Sequence, residues 1–252
     1  MMFAKEEGVP VEPRALAARI RAAVADIVTR QSAAGIDVVN DGEMSKPSYA
    51  TYIKDRLNGF GGESQPPPYP DLGMGRHVQY AGLSLEEFRS KARLHVEALN
   101  HAVRNIPPEQ MRMHLCWGNY EAPHQMDVPL ADIIDLVFVA RPSAISFEAA
   151  NPRHAHEWAV FEQVKLPDGK MLIPGVLESK SNFIEHPELV AQRVGRFAAL
   201  VGRENVMLGT DCGYGTWVGQ AAVDPDVVWG KLAAMAEGAR LASQQFWGRV
   251  TV

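Results

Sequence analysis

From Ser84 onward the chain alternates segments of helical period with short apolar runs, and no other feature restricts its fold as tightly. "SLEEFRSKARLHVEALNHAVRN" opens with a Ser-x-x-Glu capping box, Ser84 to Glu87, and carries Phe88, Ala92, Val96, Leu99 and Val103 at helical spacing. "IPPEQ" ends that helix and "MRMHLCW" reads as a strand. Helix-like "PLADIIDLVFVA", strand-like "AISFEAA", the short helix "HEWAVFEQV", the turn "PDG" and strand-like "MLIPGVLE" follow. Then come the helix "HPELVAQRVGRFAALVG", the strand "NVMLGTDCG" and a closing helix, "PDVVWGKLAAMAEGARLASQQFW". The same grammar occurs once near the start, where "PRALAARIRAAVADIVTRQSAAG" precedes "IDVVNDGE". Strands alternating with helices of this length specify βαβ units and a parallel sheet, an α/β fold whose chemistry collects at the carboxyl ends of the strands.

Five strands are expected: 36–43, 111–117, 144–150, 171–178 and 206–213. The Gly- and Pro-rich stretch 58–83 shows neither period and is long for a loop inside a compact domain. With 252 residues, 46% of them hydrophobic, the chain is long enough for one large core, and a single domain over 1–252 is expected. The formal charge of −5 comes with no basic patch, which argues against nucleic acid or a membrane surface as partner. The most apolar stretch, "ADIIDLVFVA", is short and holds two aspartates, so no membrane span is expected. "MMFAKEEGVP" lacks the apolar core of a signal peptide. Two cysteines in such a chain fit a reducing, cytoplasmic setting.

Both cysteines fall at strand ends. His114 and Cys116 are two apart on one strand and so share a face. Glu148 ends the next strand, and Cys212 ends the last before a glycine-rich turn. Two thiolates, an imidazole and a carboxylate form a complete tetrahedral set for Zn²⁺. The carboxylate is the hardest of the four donors and therefore the one a substrate thiol would exchange. Taken singly, His-x-Cys also marks ordinary buried packing, and a strand-end glutamate also caps or pairs. The convergence of every cysteine in the chain on strand ends is what points to a metal.

These segments resemble the catalytic barrel of cobalamin-independent methionine synthases, within the zinc-dependent thiol-alkylating superfamily. The likeness runs through "AGIDVVNDGEMSKPSYATYIKDRLNGF", "HLC", "SFEAANPR", "IPGVLESKSN" and "GTDCGYGT", in order, and covers roughly 11–60 and 71–247. It implies a TIM (β/α)8-barrel type of fold, with about five of eight strands evident and an apparent internal deletion near 58–83. It also implies Zn²⁺ held by His114, Cys116, Glu148 and Cys212, with Glu43 at the substrate. The activity implied is transfer of a methyl or alkyl group from a small-molecule donor to a small-molecule thiol. Opening of an epoxide by a thiol cofactor is the alternative within the superfamily, and a zinc-binding barrel fragment without turnover is the alternative outside it. Two departures stand out. Lys180, in "LESKSN", occupies the place of the family's Asp-Ile-His-Ser histidine, which leaves the donor open. The family's first strand and a middle block of strands have no counterpart, so an open sheet edge and a tendency to form homo-oligomers are expected.

Other residues carry two readings each. Glu43 and Asp211 are candidate catalytic groups, and Asp211 is equally a ligand-orienting group or a helix cap. Asp41, Trp117 and Tyr214, with Glu43, are candidate substrate contacts; Asp41 is equally a turn residue, and Trp117, Tyr120 and Tyr214 are equally core aromatics. His154 and His156 could pair on a metal, but i and i+2 do not share a helix face, so a solvated helix start is the expectation. His186 is expected at a helix N-terminus.

Overall fold

The computed structural model describes residues 1–46, 56–59, 83–119, 121, 123–215 and 223–248. The segment of apparent deletion lies largely outside them, as does Tyr120. Among the described residues the helices are α1 (Met2–Glu6), α2 (Pro13–Ala33), α3 (Leu85–Ala102), α4 (Ile134–Val139), α5 (Pro187–Val201) and α6 (Pro225–Trp247). Strands β1 (Arg112–Leu115), β2 (Ala144–Phe147), β3 (Met171–Leu177) and β4 (Gly209–Thr210) form one parallel sheet in the order of the sequence. Each crossover carries helical structure: α4 between β1 and β2, a 3₁₀ segment at Glu157–Glu162 between β2 and β3, and α5 between β3 and β4. This is the expected α/β fold, a curled four-stranded part of a (β/α) barrel.

Local chemistry sets the helix boundaries. The Ser84 hydroxyl accepts the Glu87 N–H while the Glu87 carboxylate accepts the Ser84 N–H, completing the capping box. α2, α5 and α6 all begin on a proline, whose missing N–H costs nothing in a first turn. His186 is the N-cap of α5, its Nδ1 accepting the Glu188 N–H at 3.2 Å. Among the described residues no helix is long and apolar enough to cross a membrane.

Two apolar clusters hold the sheet. One gathers Ile145, Phe147 and Leu172 with Leu130, Ile133, Phe161 and Phe197, and the other joins Val176 and Leu177 to Val190 and Val194 of α5 and Met235 of α6. α5 and α6 meet closely at Gly238, where an added Cβ would stand 2.4 Å from Val190 Cγ1 and 2.8 Å from the Pro187 carbonyl. Gly238→Ala gains up to about 1 kcal/mol of helix propensity. It forces an overpacked contact against backbone, which costs about 1–3 kcal/mol. Net destabilisation of about 1–2 kcal/mol is expected, read from the urea midpoint at unchanged slope; a higher midpoint would show that the helices separate freely.

The expected strand at 36–43 does not form. Its terminal pairing is replaced by a side chain: buried Gln31 of α2 donates to the Asn40 carbonyl at 2.9 Å and accepts the Asn40 N–H at 3.1 Å. Asn40 and Asp41 then accept the N–H groups of Gly42 and Glu43 in a turn. Val38 and Val39 are left 45% and 38% exposed. β4 is likewise shorter than 206–213, because the register with β3 shifts between Gly175 and Leu177. Val206 still bridges to Leu172, and the Asp211 N–H still reaches the Leu177 carbonyl at 2.9 Å.

Candidate metal centre

β1 carries His114, and the loops that follow β1 to β4 carry Cys116, Glu148, Glu178, Lys180, Asp211, Cys212 and Tyr214. His114 lies on β1 in register with Ser146 of β2. The Ser146 hydroxyl meets His114 Nδ1 at 3.1 Å, which fixes the ring and turns Nε2 toward Cys212 Sγ, 3.4 Å away. Cys116 Sγ lies 3.5 Å from Cys212 Sγ. The ligand atoms of these three residues all fall within 4.8 Å of one another. The outermost strands of the sheet thus meet across its concave side. Cys212 is buried, whereas His114 and Cys116 face solvent.

The two thiols lie within hydrogen-bonding distance of each other. The hydrogen bond from Cys212 holds the Cys116 thiol down at about 4 against the opposing effect of burial, with His114 and the Gly118 N–H adding to it. Cys212 is pushed up by the same bond and by burial. The donor set also suits a tetrahedral ion. Zn–S bonds of about 2.3 Å and Zn–N bonds of about 2.0–2.1 Å require S···S edges of about 3.8 Å and N···S edges of about 3.6 Å. The observed 3.5 and 3.4 Å separations need only small adjustment to meet these.

Glu148 stands beside this trio rather than within it. Its Oε1 accepts the Trp117 N–H at 2.8 Å, and its Oε2 accepts Asn151 Nδ2 at 2.9 Å and faces Lys180 Nζ at 3.5 Å. Burial raises its pKa, opposed by Lys180. Lys180 Nζ is also 3.6 Å from Glu178 Oε1, and the two carboxylates keep the ammonium charged despite burial.

Asp211, one of the candidate catalytic groups, binds the loop that follows β2. Its Oδ1 accepts the N–H groups of Ala149 and Ala150, each at 2.8 Å, and its Oδ2 accepts Asn151 N–H and Nδ2 at 2.8 and 2.9 Å. Every lone-pair direction is used, so this fully buried carboxylate orders the loop that carries Glu148. It reaches that loop because residue 175 is glycine: a Cβ there would lie 2.0 Å from Asp211 Oδ1. Arg193 of α5 binds the Val176 and Ala150 carbonyls from the other side.

The other candidate residues occupy different settings. Trp117 is a core residue: its Nε1–H donates to the Val128 carbonyl at 2.8 Å, and its ring stacks on His154 with 4.3 Å between centroids. Asp41 is the turn residue of its second reading. Glu43 is exposed and pairs with Lys46, and no described contact joins it to the cluster. Tyr214 lies in the loop after β4, two residues beyond Cys212, with a buried hydroxyl.

His154 is not solvated, and it makes no metal pair with exposed His156. It is 2% exposed, clamped between Asp127 Oδ2 at 3.1 Å and Glu157 Oε2 at 2.8 Å, and Asp127 also binds His124 at 2.8 Å. Burial lowers its pKa, but the two carboxylates prevail and raise it to about 9. A raised histidine pKa stabilises the fold fully below the unfolded value of about 6.5, and that stability is lost as pH rises through about 9. A decline on the order of 3 kcal/mol between those limits is therefore expected in the native protein. His154→Gln should remove that slope from the pH dependence of the urea midpoint; an unchanged slope would assign it elsewhere.

Sequence reasoning missed Ser146, Asn151 and Arg193. Ser146 was detectable, since it lies two residues before Glu148 on the same face of its strand.

No protein-family profile matches the chain. The chain is 24% identical over 171 residues to 2-hydroxypropyl-CoM lyase of Xanthobacter autotrophicus (strain ATCC BAA-1158 / Py2). That alignment covers 58% of the chain, and the chain spans 44% of the length of that curated relative. In fold the chain is similar to a B12-independent methionine synthase from Shewanella sp. W3-18-1, solved in complex with selenomethionine. The TM-score is 0.72 at 16% identity, over 95% of this chain and 92% of that one. Both fit the superfamily resemblance that the strand-end motifs carry.

Proposed function

We propose that the chain is a single barrel-type domain that binds zinc through His114, Cys116 and Cys212 and transfers a methyl or alkyl group to a substrate thiol. The observation that carries this is the meeting of three donor atoms within 4.8 Å at the ends of β1 and β4, on a fold similar to that of a methionine synthase. Zinc, when bound, would lower the pKa of the thiol so that it reacts as a thiolate at neutral pH. The chain's own groups do the rest. Ser146 holds the imidazole in one orientation. The Trp117 N–H and Asn151 hold Glu148 next to the trio, where it would serve as the fourth donor and as the one a substrate thiol would exchange. Asp211 fixes the loop on which Glu148 rides, so the nucleophile and its neighbours are positioned before substrate arrives.

A second reading, opening of an epoxide by a thiol, is favoured by the curated relative, whose name specifies a 2-hydroxypropyl thioether, and by Lys180 beside the cluster. Assay of the purified chain for zinc and for alkylation of homocysteine, coenzyme M and simple thiols, with methyl and epoxide donors, tests both. Zinc without turnover toward any donor would favour the binding fragment.

Glu148→Gln is expected to weaken zinc binding less than either cysteine substitution does. X-ray absorption should show an added sulfur neighbour of zinc when substrate thiol is supplied. An unchanged metal environment with the thiol bound would remove Glu148 from this role.

A further inference from the structure

Among the described residues, three buried side-chain polar atoms lack any hydrogen-bond partner: Glu178 Oε2, Lys180 Nζ and Tyr214 Oη. They are not scattered. All three belong to the loops that follow β3 and β4, and Tyr214 lies two residues beyond Cys212. The charges of Glu185, Asp211 and Glu178 act on the Tyr214 hydroxyl, and those of Glu148, Glu178 and Asp211 act on Lys180. Buried polar groups are satisfied almost everywhere in native proteins, and a concentration of exceptions beside a reactive centre marks a place where a ligand supplies the partners.

The kind of ligand follows from the mixture. Lys180 Nζ can only donate, Glu178 Oε2 can only accept, and the tyrosine hydroxyl can do either. An anion such as a carboxylate or sulfonate would take bonds from Lys180 and Tyr214. It would also face Glu148 and Glu178, which lie 3.5 and 3.6 Å from that same nitrogen. An ammonium group would suit Glu178 and be repelled by Lys180. A neutral hydroxyl matches the donor and acceptor types of all three: its oxygen would accept from Lys180 and Tyr214, and its hydrogen would go to Glu178 Oε2. The geometry points to Glu178, Lys180 and Tyr214 as a subsite for a neutral hydroxyl on the alkyl group joined to sulfur. This rests on the reading of His114, Cys116 and Cys212 as a thiol-activating zinc site, and it names the alkyl class as hydroxyalkyl. Lys180 and Tyr214 would hold the oxygen, and Glu178 would orient its hydrogen.

The test measures binding, not turnover. The cobalt(II)-substituted protein is titrated with 1-mercapto-2-propanol, with its methyl isostere 2-methyl-1-propanethiol, and with mercaptoacetate, following the sulfur-to-cobalt absorption band. The hydroxyl compound should bind at least tenfold more tightly than either other thiol. Tyr214→Phe removes only an unpartnered oxygen and should fold normally while cutting that preference several-fold; Lys180→Met should abolish it. Equal binding of the hydroxyl compound and its isostere, tighter binding of mercaptoacetate, or a preference that survives both substitutions would each overturn the subsite. In those cases an intact absorption band and full zinc content would leave the thiol site standing. Absence of metal binding by the native protein would overturn the thiol site and the subsite together.

Discussion

Zinc content is expected to fall from about one ion per chain to a small fraction of that in Cys212→Ser, and likewise in Cys116→Ser, after dialysis against a weak chelator. Cys212 is the donor that touches both of the others, 3.4 Å from His114 Nε2 and 3.5 Å from Cys116 Sγ. A serine hydroxyl keeps its proton at neutral pH and is a poor ligand for a borderline-soft ion, so the substitution removes a charge and a donor at once. The fold should tolerate it, since among the described residues the thiol makes no other side-chain bond. Ser146→Ala provides the scale. It takes away only the partner of His114 Nδ1, and such outer losses reduce affinity by roughly 10–100-fold. Metal analysis and competition with a chromophoric chelator would order the three variants. Full zinc in both cysteine variants would sink the site.

Asp211→Ala should be the most damaging substitution for stability. Four donors, the N–H groups of Ala149, Ala150 and Asn151 and the Asn151 amide, lose their acceptor inside a site with no solvent access. At about 1 kcal/mol for each bond, the loss is on the order of 4 kcal/mol. For a chain of this length that corresponds to a drop in Tm of roughly 8–16 °C. Asp211→Asn keeps the volume and half of the acceptors and should fall between. Because the loop carries Glu148, zinc affinity should decline along the same series. A melting temperature within a few degrees of the native value would show that water replaces the carboxylate.

The sequence allowed the four long helices to be read to within a few residues, because their signals are local: Ser84 and Glu87 cap one helix, and Pro13, Pro187 and Pro225 open three others. The strand ends bearing His114, Cys116, Glu148 and Cys212 were legible for a related reason, since parallel sheets gather chemistry at one edge. What local pattern did not reveal was pairing. "IDVVNDGE" has the composition of a strand, yet a strand needs a neighbour, and here the Gln31 amide takes the place of one at Asn40. The roles of Asp211 and Trp117 were hidden similarly. Whether a strand-end acid faces substrate or backbone depends on a loop 60 to 62 residues away in sequence, and on a glycine at 175 that leaves it room.

The order of the sheet also dictates when the donor set comes into being. Each strand pairs with the one made just before it, so the sheet can grow stepwise as the chain lengthens. Cys116 and Cys212, however, are 96 residues apart and lie just beyond its first and last members. A nascent chain therefore has no chelating pocket until its fourth strand is in place and the curl is complete. Metal capture would be the closing event of assembly, and a bound ion would clasp the two ends of the curl across a loop whose closure carries about 4–5 kcal/mol of entropy. Metal retention would then report completed folding as well as chemistry.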